Sequence, residues 1–350
     1  MKRINICLCL LMLGVSVRAQ VWSLAKAKAW YGKQGWLVGA NYTPAYAVNQ
    51  LEFWQKETFD LAAIDREFAL AESIGMNCMR VYLHHVAWKQ DPQGFKKRVS
   101  DFLGIAVKHR IKVMFVFFDD CWTDTYAAGK QPLPRAGVHN SGWLKDPGNR
   151  IQTEGKLMDT LERYVKDVLR SFRYDPRVLL WDLYNEPGQF EQHSKSMPLL
   201  INVFKWARSV GVSQPLSAGV HNDNERELTE FQIRNSDIIT YHSYDKPEVH
   251  QRRIDSLMKV SGGRPMICTE YMARKRGSTF AAILPMLKKQ NIGAINWGLV
   301  DGKTQTKYAW DEKNWGTGEP GLWFHDIFKR DGSPYLPEET ILIKELSSGK

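Results

Sequence analysis

The sequence predicts a single-domain (β/α)8 barrel behind an N-terminal leader. Three observations carry this. Short apolar runs alternate with stretches of helical periodicity, and eight such units can be counted. Strict alternation argues for a parallel sheet, and eight units argue for a closed barrel over the runner-up, an open doubly wound sheet. The run Val178-Leu179-Leu180-Trp181 is continuously apolar, as in a strand covered on both faces. The third is bulk: 350 residues, 43% hydrophobic and 25% charged, suffice for one large core. No Pro- or Ser-rich linker, repeat or low-complexity segment divides them.

The elements follow in order. Lys2 and Arg3 precede an apolar run from Ile4 to Val17, then Arg18-Ala19-Gln20. A positive region, an apolar region and a small residue read as a secretory signal peptide over residues 1–19. About 14 apolar residues fall short of the ~20 that span a bilayer. The mature domain, residues 20–350, is therefore expected to be secreted or periplasmic, with no membrane span. After a polar lead-in, residues 36–40 form strand one and end at Asn41-Tyr42. Leu61, Ile64, Phe68, Ala71 and Ile74 recur at helical spacing, and Gly75 closes that helix. Residues 77–82 are strand two, 95–110 a helix and 112–118 strand three. A Gly-, Pro- and Asp-rich loop over residues 119–150 is long enough to be functional. Met158, Leu161, Val165, Val168 and Phe172 mark the third helix, and strand four begins at Val178. A helix over 197–210, strand five over 215–219 and a short helix over 225–231 follow. Strand six covers 238–242, a helix 247–260, strand seven 266–270, a helix 280–290 and strand eight 292–298. A second long loop, residues 301–337, precedes a last helix over 338–345.

The formal charge of +10 becomes +7 once Lys2, Arg3 and Arg18 leave with the leader. The basic residues are scattered, which speaks for a solvated surface and against a nucleic-acid partner. Cys7 and Cys9 also leave. Cys78, Cys121 and Cys268 lack zinc-like spacing and lie in or beside apolar runs, so they read as small buried hydrophobes, with one disulfide left open.

Strand four ends in Asn185-Glu186-Pro187-Gly188. Pro187 cannot donate to a sheet ladder and Gly188 marks a turn, so Glu186 stands at the strand's C-terminal tip. Strand seven ends the same way, in Glu270-Tyr271. In barrel enzymes the chemistry sits at that face. Two carboxyls facing each other there match the needs of glycoside hydrolysis: one protonates the leaving oxygen, the other attacks the sugar or activates water.

Asn185-Glu186-Pro187 on strand four with Glu270 on strand seven resembles clan A of the glycoside hydrolases, above all the cellulase-like family 5 enzymes and the catalytic barrels of family 2. Arg80 on strand two, His242-Ser243-Tyr244 on strand six and Trp297 on strand eight complete the likeness. It implies a retaining O-glycosyl hydrolase acting on β-linked oligo- or polysaccharides. Glu186 is then the acid/base, Glu270 the nucleophile, and Asn185 a contact to the sugar 2-hydroxyl. Arg80 and Tyr244 are implied to orient Glu270, and no cofactor or metal is called for. His242, Trp297, Asn41, Trp122 and Asp119 join the expected substrate contacts. The chain departs from the family pattern at the end of strand three, where Phe117-Phe118-Asp119-Asp120-Cys121-Trp122 replaces a familiar His. No family 2 sandwich domains precede the barrel.

Each residue has a plainer reading. Glu186 could cap a helix, Arg80 could pair with Asp182, His242 could be a core histidine and Trp297 barrel packing. Trp122, Trp143, Trp310, Trp315 and Trp323 lie in the long loops, some lining a cleft and others pinning the loops. Asp119, Asp120, His139, Asp301 and Lys303 are candidate polar contacts. Gly302-Lys303-Thr304 lacks the spacing of a phosphate loop, because residue 297 is Trp. His84-His85 and Asp119-Asp120 suggest a metal, but adjacent strand residues point to opposite faces. The rival functions are a sugar-binding barrel without activity and a metal-dependent isomerase or aldolase-type barrel.

Overall fold

The computed structural model describes residues 20–312 and 318–348. The expected leader, with Cys7 and Cys9, and Trp315 lie outside the described residues. Eight parallel strands run β1 (Val38–Asn41), β2 (Cys78–Tyr82), β3 (Lys112–Asp119), β4 (Val178–Asn185), β5 (Leu216–Ser217), β6 (Ile239–His242), β7 (Met266–Glu270) and β8 (Gly293–Trp297). The sheet order is β5-β4-β3-β2-β1-β8-β7-β6. The seam between β5 and β6 is closed by Asp237 N–H to Leu216 O, Val220 N–H to Thr240 O and His242 N–H to Val220 O, at 2.8–2.9 Å. This is a (β/α)8 barrel in one domain. No helix among the described residues is long and apolar enough to cross a membrane.

Register levels the strand tips. Asn41 stands opposite both Arg80 and Trp297, and Asp119 opposite Asn185. An irregularity between Tyr241 and His242 brings His242 opposite Glu270. Such a bulge re-aims a side chain at a barrel rim. β3 and β4 are nearly buried throughout, which explains their continuous apolar runs. The helices bury one stripe each against the strands. The Leu157–Phe172 helix does so with Leu161, Val165, Val168 and Phe172.

Three local differences have physical reasons. The lead-in contains a helix, Leu24–Gly32, whose Ala27 and Tyr31 pack with Leu37, Met114, Leu180 and Ile267 at the barrel floor. Only those two of its residues are buried, so no apolar stripe announced it. The short helix after β5 runs to Asn235, and β5 itself keeps two ladder residues. Strand two ends at Tyr82, so His84 and His85 are not strand residues. His84 caps a helix, His85–Gln90, through Val86 N–H to its Nδ1. The two rings stack at 5.2 Å and both face Asp146, which accepts from the His85 backbone and ring. The opposite-faces expectation therefore fails. The trio anchors the 120–149 loop to the helix after β2. Cys78, Cys121 and Cys268 are all buried and unpaired.

Candidate active site

Arg80 organises the rim. It projects from β2 into the barrel, fully buried, because its donors are all matched by acceptors on neighbouring strands. Nε and Nη2 bond Asp182 Oδ2 at 2.9 and 2.7 Å. Nη2 also reaches Asn185 Oδ1 at 2.7 Å, and Nη1 reaches Asn41 Oδ1 and Glu270 Oε1, both at 2.8 Å. Burial opposes the guanidinium charge, but Tyr82, Asp182 and Glu270 hold its pKa well above the ordinary value. Arg80 thus serves both readings at once: it pairs with Asp182 below and Glu270 above.

Glu270 closes β7, 4% exposed. Its Oε1 accepts from Arg80 and from the Tyr82 hydroxyl at 2.9 Å, and its Oε2 from the Tyr244 hydroxyl at 2.8 Å. Burial, then the adjacent Glu270 charge, pushes the Tyr244 phenol pKa well up, so it stays a donor. Three donors, one of them cationic, fix the orientation of this carboxyl group.

Glu186 is held differently. Its backbone takes φ +45°, a left-handed conformation that costs a non-glycine residue about 1–2 kcal/mol. Strain of this kind persists where the surroundings over-determine it. Its Oε1 lies 2.7 Å from His242 Nδ1, and its Oε2 accepts from the Cys121 thiol at 3.1 Å. Burial lowers the His242 pKa to about 3, with nearby Glu270 only partly offsetting it. His242 is therefore neutral at working pH. Burial, then Asp119 and Glu186, raises the Cys121 pKa well above its usual range, so it remains S–H. Carboxyl oxygens of Glu186 and Glu270 and a His242 nitrogen lie within 4.8 Å of one another.

Both glutamates open into a cavity of about 450 Å³, whereas His242, expected as a substrate contact, stands behind Glu186 and does not line it. Trp122, Trp143, Trp297 and Trp310 line it, with Tyr244 and Phe190. Trp297 meets Tyr82 and Trp143 at ring distances of 5.9 and 5.7 Å. Trp122 leans on Phe190 and His139 at 5.4 and 5.3 Å.

Other expected contacts are placed elsewhere. Asn41 does not line this cavity: its amide donates to Thr269 O and Asn296 O beneath Arg80. Asp119 reaches the wall but is 2% exposed, holding Trp143 Nε1, the Cys121 N–H and Asn185 Nδ2. Burial raises its pKa to about 7. Asp120 faces away, toward Tyr184, Ser196 and the Gly188 N–H. Asp301 pairs with Lys307 and Arg330, and Lys303 with Glu52, outside the cavity. Trp323 stacks on Tyr335 at 4.4 Å and pins the loop after β8.

Tyr82 and Cys121, which touch Glu270 and Glu186, were not among the expected site residues. Tyr82 had a signal, since it follows Arg80 by two residues and so shares its strand face. Cys121 had none, because burial among hydrophobes and burial against a carboxyl look alike in sequence.

No protein-family profile matches the sequence, and no curated protein sequence matches it. Solved structures share its fold. GH5_18 from Streptomyces cattleya, in complex with GlcNAc, aligns at TM-score 0.63 over 90% of this chain and 80% of its own, with 11% identity. The endo-β-1,4-mannanase from Thermotoga petrophila aligns at 0.58 over 91% and 77%, with 14% identity. The exo-β-1,4-mannosidase Op5Man5 from Opitutaceae bacterium strain TAV5 aligns at 0.61 over 90% and 59%, with 14% identity.

Proposed function

We propose that the chain is an exported glycoside hydrolase of the family 5 type that cleaves β-linked sugars with retention. The observation that carries this is the spacing of the two rim glutamates. Their nearest oxygens lie within 4.8 Å. So short a gap between nearest oxygens favours the ~5–5.5 Å carboxyl separation of retaining enzymes over the ~6.5–9.5 Å that admits an inverting water. The barrel shared with a mannanase and a mannosidase supports the same chemistry and makes β-1,4-mannosides the first substrates to try.

In the first step Glu270 attacks the anomeric carbon while Glu186 gives its proton to the glycosidic oxygen. A glycosyl ester on Glu270 forms and the leaving chain departs as an alcohol. In the second, Glu186 takes a proton from water, which displaces Glu270 at the same carbon. Arg80, Tyr82 and Tyr244 aim Glu270 and balance its charge. Neutral His242 and the Cys121 thiol fix the Glu186 carboxyl without adding a charge beside it. Trp297 offers a ring for the sugar's apolar face.

Glu186→Gln and Glu270→Gln are each expected to abolish turnover of aryl β-glycosides with unchanged circular dichroism. Near-parental activity in either sinks the assignment. A second reading rests on the same 4.8 Å cluster, since Glu186, His242 and Glu270 could hold a cation. The Arg80 guanidinium, 2.8 Å from Glu270 Oε1, sets a like charge against that cation. Full activity after EDTA treatment is expected; loss restored by a divalent metal favours the cation.

A further inference from the structure

The loops around the cavity are unequal. Those after β3 and β8 are long and hydrogen-bonded to each other. Asn140 N–H donates to Thr304 O at 2.8 Å, and the Gln305 side chain accepts from Gly137 N–H and donates to Arg135 O and Val138 O. His139 Nδ1 meets Tyr308 O at 2.8 Å. Together they make a wall over the tips of β1 and β2. The loops after β5 and β6, residues 218–225 and 243–246, are short. On the Glu186 side the lining residue Phe190 is 44% exposed.

The closed side suits the glycone. During double displacement the glycone stays on Glu270 while the leaving chain exits past Glu186. Glu270 is held by Tyr82, whose ring packs on Trp143 and Trp297, both part of the closed side.

That wall also carries groups suited to a ligand. The Asn140 amide is 1% exposed, and neither its nitrogen nor its oxygen has a hydrogen-bond partner. A buried amide left unpaired is costly and rare. Its backbone is fixed at φ +47°, and its carbonyl accepts from Trp143 N–H. One donor and one acceptor side by side match two neighbouring hydroxyls. His139 also lines the cavity. Burial lowers its pKa to about 4, so the ring is neutral. The Tyr308 carbonyl can only accept, so Nδ1 carries the proton and Nε2 is left as an acceptor.

We infer that the barrel removes one sugar at a time from the non-reducing end of its substrate, with Asn140 and His139 ending the glycone pocket and reading the hydroxyls of that terminal sugar. This rests on the glycosidase proposal above. The test uses the mature protein and a β-1,4-linked mannose hexasaccharide, or its glucose counterpart, labelled at the reducing end. The expected result is free monosaccharide from the first time point and labelled products that shorten by one residue. Early labelled di- or trisaccharides, formed with retention, overturn the inference and leave the glycosidase proposal standing. No hydrolysis of any aryl glycoside or oligosaccharide removes both. Asn140→Ala is expected to lower kcat/KM on the parent aryl glycoside about tenfold or more. That deficit should shrink on the monodeoxy substrate that lacks the partnered hydroxyl. Parental kcat/KM, or an equal deficit on every monodeoxy substrate, overturns the role of Asn140.

Discussion

Tyr244→Phe isolates one of the three donors on Glu270. The substitution deletes a hydroxyl 2.8 Å from Glu270 Oε2 and leaves the ring, which packs on Trp310 at 4.9 Å. A hydrogen bond to a charged group is worth about 1.5–3 kcal/mol, or roughly 10–150-fold in rate. Arg80 and Tyr82 still hold Oε1, so the carboxyl group keeps two of its three donors. The expected loss is therefore near the low end, about tenfold in kcat/KM. Tyr244 is only partly buried, and a lost hydroxyl of this kind costs stability about 1 kcal/mol or less. The assay is steady-state hydrolysis of an aryl β-glycoside beside a thermal melt. A parental kcat/KM refutes the role of Tyr244 in holding the nucleophile. A loss as large as that of Glu270→Gln, with an unchanged melt, refutes it in the other direction, by making Tyr244 a reacting group.

Two further outcomes test the scaffold. A Cβ on Gly39 would lie 1.8 Å from Cys78 O across the β1–β2 pair, a clash with backbone that cannot swing away. Gly39→Ala should therefore cost more than about 3 kcal/mol and lower the melting temperature sharply; a shift within error refutes that close pairing. Glu67 is held by the Tyr42 hydroxyl and the Ala45 N–H, and burial raises its pKa from 4.5 to about 7. The native state keeps this proton as pH rises, while the unfolded chain releases it. The contribution is therefore complete below about pH 4.5 and lost by pH 7, about 3 kcal/mol in all. Glu67→Gln has no proton to lose, so its stability relative to the parent should rise between pH 4 and pH 8. A constant difference in melting temperature contradicts the raised pKa.

Much of the barrel was legible because parallel strands covered on both faces read as apolar runs, and helices between them show one buried stripe. Glu186, Glu270, Arg80, His242 and Tyr244 could be placed together because each stands at or beside the tip of a counted strand, and register then makes those tips level. Contacts between irregular segments were not legible. Nothing periodic links Asn140 to Thr304, or Gln305 to Val138, so the wall between the loops had no signal. His84-His85 misled for a related reason. The alternation rule holds only inside a strand, and β2 had already ended at Tyr82. Asp301 and Lys303 were exposed-looking loop charges, but Asp301 pairs inside its own loop with Lys307 and Arg330, and Lys303 reaches Glu52 on a helix far back in the chain.

The division of labour between Glu186 and Glu270 is most directly tested by trapping. A 2-deoxy-2-fluoro glycosyl fluoride slows both steps but keeps a good leaving group, so a glycosyl ester accumulates. With the gluco and manno forms as probes, intact-mass analysis should show the addition of one fluorosugar, and peptide mapping should place it on Glu270. An adduct on Glu186 or elsewhere, or none while the protein hydrolyses the matching aryl glycoside with inverted products, contradicts Glu270 as the nucleophile.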